Sequence, residues 1–298
     1  MWICDDPLGH LQATGSDAAG RKQYLYHPRW REQRNRQKFQ KMVRFAGAVP
    51  QLRRRVAIDL DGEEPTRERV LACAARLLDV GLFRIGSEQY EDEGGGLGLT
   101  TIRREHVSFQ DGSRSMVFDY PAKSGVRRVH AIEDPECLAL IRSLARRRSG
   151  DRQLLAFREG RRWERLRSDD VNDYLKRQMG EDFSAKDFRT WNATVLAAVA
   201  LAIDGRGAGT KTARKRAING AVRGVAEMLG NTPAVARRAY VDPRVFDRYL
   251  SGWTISGAVQ DIGNLAVPDE GMRSRLEDAV LDLLARDTDS PAVVKIGS

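Results

Sequence analysis

Apolar residues in this chain follow two different periods. From Thr66 to Leu82 they fall at Val70, Leu71, Ala74, Leu77, Leu78 and Leu82, the spacing of one helix face. From His106 the period becomes two. Val107 and Phe109 precede a turn at Asp111-Gly112, Met116–Tyr120 reads as a second strand, Pro121–Gly125 turns again, and Val126–Ile132 reads as a third. The pattern predicts a three-stranded meander. From Asp134 onward the spacing is helical: Pro135–Arg147, a short buried piece at Leu154–Phe157, an amphipathic helix over Ser168–Met179, and Arg216–Leu229 with Ile218, Val222, Val225, Met228 and Leu229 inward. Ser184 opens a helix running to Ile203 that is apolar on nearly all sides, which puts it at the centre of the core. Gly230-Asn-Thr-Pro233 turns the chain into a short helix carrying Tyr240, followed by Pro243–Leu250 and a terminal helix over Arg273–Arg286.

The N-terminal part has another texture. Trp2 and Ile3 read as an edge strand, a Gly/Asp-rich loop follows, and Gly20–Tyr26 alternates basic, aromatic and apolar residues. The chain begins abruptly inside a sheet, so the expected N-terminal lobe is a partial one. Trp30–Leu52 predicts a basic helix that buries Phe39, Met42, Val43 and Phe45 and keeps Arg31, Arg34, Arg36, Lys38 and Lys41 wet; Arg53–Pro65 reads as a connector. The fold class expected is α+β: a small β lobe over 1–34, then a mainly helical domain over 35–298 that carries the meander.

Composition narrows the partner. Lys plus Arg number 50 against 41 Asp plus Glu, a net charge of +9 and a pI near 9.7. That excess points to a polyanion, nucleic acid above all. Cys4, Cys73 and Cys137 form no CxxC pair, and the four histidines have no metal-ligand spacing, so neither a disulfide framework nor a zinc site is expected. The glycine-rich Glu91–Gly98 lacks both phosphate-loop patterns, which excludes a nucleotide site of those kinds. No cofactor is expected. No apolar run approaches membrane-spanning length and no signal peptide is visible, so the expected location is cytoplasmic, on the nucleoid.

Within this frame a few residues carry chemistry. Tyr240 follows Arg237 and Arg238 in a positive field, which lowers a phenol's pKa and draws a phosphate to it. Arg84 lies between Phe83 and Ile85 at a helix end. Lys123, on the second hairpin tip, is the one lysine between Lys41 and Lys176; unlike arginine, lysine can give up a proton near neutral pH. Lys186 and Arg189 sit in the first turns of the apolar helix, where they oppose its dipole and ask for an anion. Taken singly, each also reads as an ordinary helix-end or turn residue.

Together they resemble the type IB DNA topoisomerases, in particular the small bacterial and poxvirus branch. The matching stretches are Gly20–Tyr26, Phe83–Tyr90, Gly98–Arg103, Lys186–Trp191 and Leu229–Tyr240, in the family's order over most of the chain. The resemblance implies a topoisomerase/recombinase catalytic fold on double-stranded DNA, acting as a monomer that clamps the duplex. Tyr240 would attack a phosphodiester, leaving a 3′-phosphotyrosyl link and a free 5′-hydroxyl. Arg84 and Arg189 would hold the non-bridging oxygens, and Lys123, assisted by Lys186, would protonate the leaving oxygen. Neither ATP nor metal is implied. Asn231 stands where viral and eukaryotic members have histidine and bacterial ones commonly have asparagine; it still offers one hydrogen bond to phosphate. Tyr90 and Thr101 match positions near the DNA backbone, and Arg21, Tyr24, Tyr26 and Arg34 match the lobe that grips the duplex.

Two other readings fit parts of the pattern. A tyrosine recombinase uses similar chemistry but carries His-x-x-Arg, whereas Lys186-Asp-Phe precedes Arg189 here. A non-catalytic nucleic-acid binder would not need Arg84, Lys123, Arg189 and Tyr240 together.

Overall fold

The computed structural model describes residues 1–18, 20, 22–88, 96–110, 114–180, 182–205, 207–260 and 270–296. They form two compact units, Met1–Arg44 and Phe45–Ser298, dividing inside a helix where the sequence reading placed the limit at 34.

The first unit holds an antiparallel sheet of β1 (Trp2–Ile3), β2 (Leu11–Ser16) and β3 (Lys22–Tyr26), in that order. Its rings form a ladder. Tyr24 lies 6.2 Å from Tyr26, Tyr26 stacks on Trp30 at 4.3 Å, and the Arg34 guanidinium covers Trp30 at 5.5 Å. Trp30 and Arg34 belong to α1 (Pro28–Leu60), which runs on into the second unit.

In the second unit α1 continues to Leu60, well into the stretch expected to be a connector. The reason is long-range pairing that a local pattern cannot show. Arg53, 6% exposed, donates to Asp79 at 2.9 Å and to Glu277 at 2.7 Å; Asp79 also accepts from Arg273 at 2.5 Å. These charges join α1 to α2 (Arg67–Gly81) and to the last helix. Burial alone would raise the Asp79 carboxyl; Arg273 and Arg53 outweigh it and hold it below the ordinary range. A depressed carboxyl contributes stability above its unfolded pKa of about 4, lost only as pH falls through the folded value. At neutral pH, Asp79→Ala leaves buried arginine charge unmatched. It should lower stability by about 3 kcal/mol, a fall in Tm of roughly 6–12 °C readable by calorimetry.

Thr66 caps α2, accepting from the Arg69 amide at 3.2 Å, and Leu82 ends it in the left-handed conformation at φ 53°. The expected meander follows as β4 (Val107–Phe109), β5 (Ser115–Pro121) and β6 (Arg127–Glu133), in that order. The turn expected at Asp111-Gly112 lies outside the described residues. Next come α3 (Pro135–Arg146), a hairpin of β7 (Ala156–Glu159) and β8 (Arg162–Arg165), and α4 (Ser168–Met179). The hairpin corrects the all-helical reading from Asp134 on. Its strands are four residues each, too short to show a period.

The central helix α5 (Ala185–Asp204) buries Phe188 and Trp191 at 1% exposure, and Phe45 packs edge-on against Phe188 at 4.9 Å. Thereafter run α6 (Lys211–Leu229), α7 (Pro233–Ala239), α8 (Pro243–Leu250), β9 (Trp253–Thr254), α9 (Ser256–Val259), α10 (Glu270–Ala285) and β10 (Val294–Lys295). β9 pairs with β10 across the intervening helices, a separation no local pattern reveals. Val43 and Met228, expected inside, are 39% and 47% exposed. Helical spacing gives a face, but not how far round that face the neighbours reach.

Candidate active site

The site assembles where α2 ends, α5 begins and α6 turns into α7. Leu82 swings the chain so that Phe83 enters the core beneath the meander. Its ring meets Phe118 edge-on at 5.1 Å and stacks on His130 at 5.5 Å. Arg84 comes next. Its backbone carbonyl accepts from the Leu99 amide at 2.8 Å, so the Gly98–Thr100 turn braces it. Its Nη2 donates to Asn231 Oδ1 at 2.6 Å.

Asn231 is delivered by a glycine turn. The Gly230 amide bonds the Glu227 carbonyl and the Asn231 amide bonds Ala226, while Gly230 takes φ +60°, the Schellman ending of a helix. Pro233 and the Thr232 hydroxyl, which accepts from the Val235 amide at 3.3 Å, then start α7. The helix is two turns long and ends on Tyr240. The Thr194 hydroxyl bonds the Tyr240 carbonyl at 3.3 Å and accepts from the Asp242 amide at 3.1 Å, which ties the Tyr240 backbone to α5.

Arg189, one turn into α5, is 3% exposed. One η nitrogen donates to the Leu82 carbonyl and the other to the Leu229 carbonyl, the latter at 2.8 Å; its guanidinium stands 5.3 Å from the Tyr240 ring centre. The cation expected to ask for an anion is thus already seated on two carbonyls. Its Nε and the Asn231 Nδ2 are buried and find no acceptor among the described residues. Burial, then the neighbouring Arg84, lowers the Arg189 guanidinium to about 10, so it keeps its charge at neutral pH. Burial alone would raise the Tyr240 phenol; Arg189 and then Arg84 outweigh it and bring it below its ordinary value.

Beside these groups lies a cavity of about 460 Å³ between β5–β6 and the end of α6, lined by Arg84, Lys123, Arg128 and Arg189 among others. Lys123 is exposed, on the 3₁₀ turn Lys123–Gly125. Glu227 is the only carboxylate among the described lining residues, against five cations. Tyr240 and Asn231 are not part of its lining; they adjoin it through Arg189 and Arg84.

The other expected residues fall elsewhere. Lys186 is exposed on the first turn of α5 and does not line the cavity. Thr101 is wholly buried and its hydroxyl accepts from the Gly98 amide at 2.9 Å, so it braces Arg84's neighbours. Tyr24 and Arg34 are exposed and Tyr26 half-buried, all in the first unit. Arg21 and Tyr90 lie outside the described residues. Sequence reasoning missed Arg128, His130 and Thr194. The first two had a signal: on alternating β6, Arg128, His130 and Ile132 share the inward face. Burial, then Arg128 and Arg189, lowers His130 to about 4, so it is neutral here. Thr194 had none, since it reads as one more small residue on an apolar helix.

A family model for the catalytic core of eukaryotic DNA topoisomerase I matches residues 27–251. The chain is similar to DNA topoisomerase 1B of Acanthamoeba polyphaga mimivirus, 28% identical over 247 residues, covering 81% of this chain and 73% of the viral protein. DNA topoisomerase 1 of Schizosaccharomyces pombe is 32% identical over 167 residues, 55% of this chain and 19% of the yeast protein. That of Drosophila melanogaster is 30% identical over 134 residues, 43% of this chain and 13% of the fly protein. The chain therefore spans less than a fifth of either cellular relative.

Proposed function

Because the chain belongs to the type IB topoisomerases, the family of the eukaryotic topoisomerase I catalytic core, we propose that it relaxes supercoiled DNA by breaking and rejoining one strand through Tyr240. The observation that carries this reading is the lowered phenol beside two arginines, with unpaired N–H groups on Arg189 and Asn231. Buried donors without acceptors are rare, and phosphate oxygens would satisfy both.

In this reaction Tyr240 Oη, its proton passing to water, attacks phosphorus and the 5′-oxygen leaves, giving a 3′-phosphotyrosyl ester. Arg84, Arg189 and Asn231 stabilise the charge on the non-bridging oxygens. Lys123 gives its proton to the leaving oxygen. Lys186, exposed on the same helix as Arg189, serves as a phosphate contact or an auxiliary proton source. The cut end then turns, and the 5′-hydroxyl reverses the step. The ester preserves the bond energy, so nucleotide hydrolysis has no part in it.

The finer assignments belong to the same proposal. The bacterial side of the small branch is supported by Asn231 at the position where viral and eukaryotic members have histidine, and the small size of the branch by the much fuller coverage of the viral relative than of the cellular ones. The Tyr24–Tyr26–Trp30 ladder with Arg34 suits backbone contact by the N-terminal lobe, residues 1–34, gripping the duplex as part of a monomer. No helix among the described residues is long and apolar enough to cross a membrane, and a nucleoid location fits a DNA substrate.

Relaxation of a supercoiled plasmid in EDTA without nucleotide tests the function. A ladder of topoisomers is expected. An untouched plasmid would leave a DNA binder, and a need for paired sites would indicate a recombinase.

A further inference from the structure

Arg128 is the inward arginine of β6, opposite Tyr120 on β5. One of its η nitrogens donates to the Met228 carbonyl in the last turn of α6, one of the carbonyls a helix end leaves without a partner of its own. The other lies over Gly230. A Cβ at position 230 would stand 2.9 Å from Arg128 Nη1, so the guanidinium occupies the place of the side chain that glycine lacks. The same strand leads back to Lys123, and the same turn leads on to Asn231. On the opposite side of the hairpin tip, the Leu97 amide donates to the Pro121 carbonyl at 2.8 Å. Arg128 thus supplies a second tie, directed at the catalytic turn.

We propose that Arg128 is a positioning residue, a latch that holds the Lys123 hairpin against the Gly230–Asn231 turn so that general acid and phosphate ligand reach one phosphate together. This rests on the strand-transfer reading above.

Its charge environment separates Arg128 from the structural arginines. Arg53 and Arg76 are half-buried or buried opposite carboxylates, at 2.9 and 2.7 Å from Asp79 and Asp134. Arg128 is half-buried with no carboxylate partner among the described residues. Arg84, Lys123, Arg127 and Arg189 share its cavity with one carboxylate, Glu227, while Tyr120 lies across the strand and His130 two residues on. The end of α6 favours a cation here, but the other guanidinium groups in the cavity repel it. Beside a phosphate diester the arrangement becomes favourable, because the anion relieves the mutual repulsion of the cations. The latch is then tightest when substrate is present.

The test uses the whole 298-residue chain and a duplex oligonucleotide that on cleavage loses its short downstream fragment, the piece bearing the 5′-hydroxyl, made with oxygen or with sulfur at the 5′-bridging position. A thiolate leaves without a proton, so sulfur removes the need for Lys123. Arg128→Ala should slow cleavage of the oxygen substrate about 10²-fold, the effect of a small misplacement, and cleave the sulfur substrate within a few-fold of the parent. The double variant Lys123→Ala/Arg128→Ala should be no slower on oxygen than Lys123→Ala alone, because a residue acting through another adds nothing once that other is gone. Arg128→Lys, which keeps charge and strand, is measured alongside in case the alanine variant does not fold; it should fall between parent and Arg128→Ala and show the same sulfur rescue. Parent-like rates for either variant on oxygen overturn the proposal. Multiplied losses in the double variant, without sulfur rescue, also overturn it and make Arg128 a direct phosphate ligand. A parent that forms no covalent adduct overturns the strand-transfer reading, and the latch with it.

Discussion

Tyr240→Phe should abolish covalent protein–DNA adduct while leaving duplex affinity within a few-fold of the parent. The substitution deletes only Oη. The ring that lies 5.3 Å from Arg189 remains, as do the Thr194 bond to the residue-240 carbonyl and the α7 ending. No other described tyrosine of the second unit is fit to replace it. Tyr249 is 1% exposed, its hydroxyl donates to the Gly205 carbonyl at 3.0 Å, and burial raises its phenol. Tyr120 is raised by burial, and Tyr174 is raised by burial and by the Asp59 carboxylate it donates to. Tyr240 alone among these has its phenol lowered, because two guanidinium groups outweigh its burial. The measurement is a labelled strand captured on denaturing gels. A labelled adduct in the phenylalanine variant would mean that the nucleophile is elsewhere.

Lys123→Ala should slow cleavage by ~10²–10⁴, the usual contribution of a positioned general acid. An alkoxide is a poor leaving group. A thiol with a pKa of about 8.5 leaves readily as thiolate, so sulfur at the 5′-bridging position should return the alanine variant close to the parent rate. Arg189→Ala should gain nothing from sulfur, since Arg189 is seated beside Tyr240 and holds the non-bridging oxygens in this reading. Rescue of both variants, or of neither, would remove Lys123 from the acid role. Lys186, exposed on the first turn of α5, would then be the next residue to substitute.

Much of this was legible in the chain, and the limits have physical causes. Helix α2 was readable because its apolar spacing matches its burial, and α5 because its apolar run marks it as central, although Val195, Leu196 and Val199 are only half-buried and Ile203 is exposed. The meander was readable because alternation and turn residues agreed. Arg84 and Arg189 stood out as cations placed against apolar or dipolar expectation. The route of α1 past Arg53 was hidden, because Asp79 and Glu277 are 26 and 224 residues away. For Thr101, a motif position gives proximity to a functional segment and not the direction of a side chain, whose hydroxyl turns inward to Gly98. Arg128 escaped because a paired and an unpaired arginine look alike until their neighbours are known.

The seating of Arg189 on the Leu82 and Leu229 carbonyls has a consequence for the integrity of DNA. The two carbonyls come from segments 107 and 40 residues away, and closing such loops is slow and entropically unfavourable. A nascent chain, or one opened locally by a thermal fluctuation that frees either segment, loses the carbonyl that seats Arg189 and with it the group that lowers the Tyr240 phenol. On the proposed reading, the Tyr240 phenol is lowered fully only while both segments hold Arg189 in place. If Tyr240 is the nucleophile, strand breakage is tied to the same packing that rejoining needs.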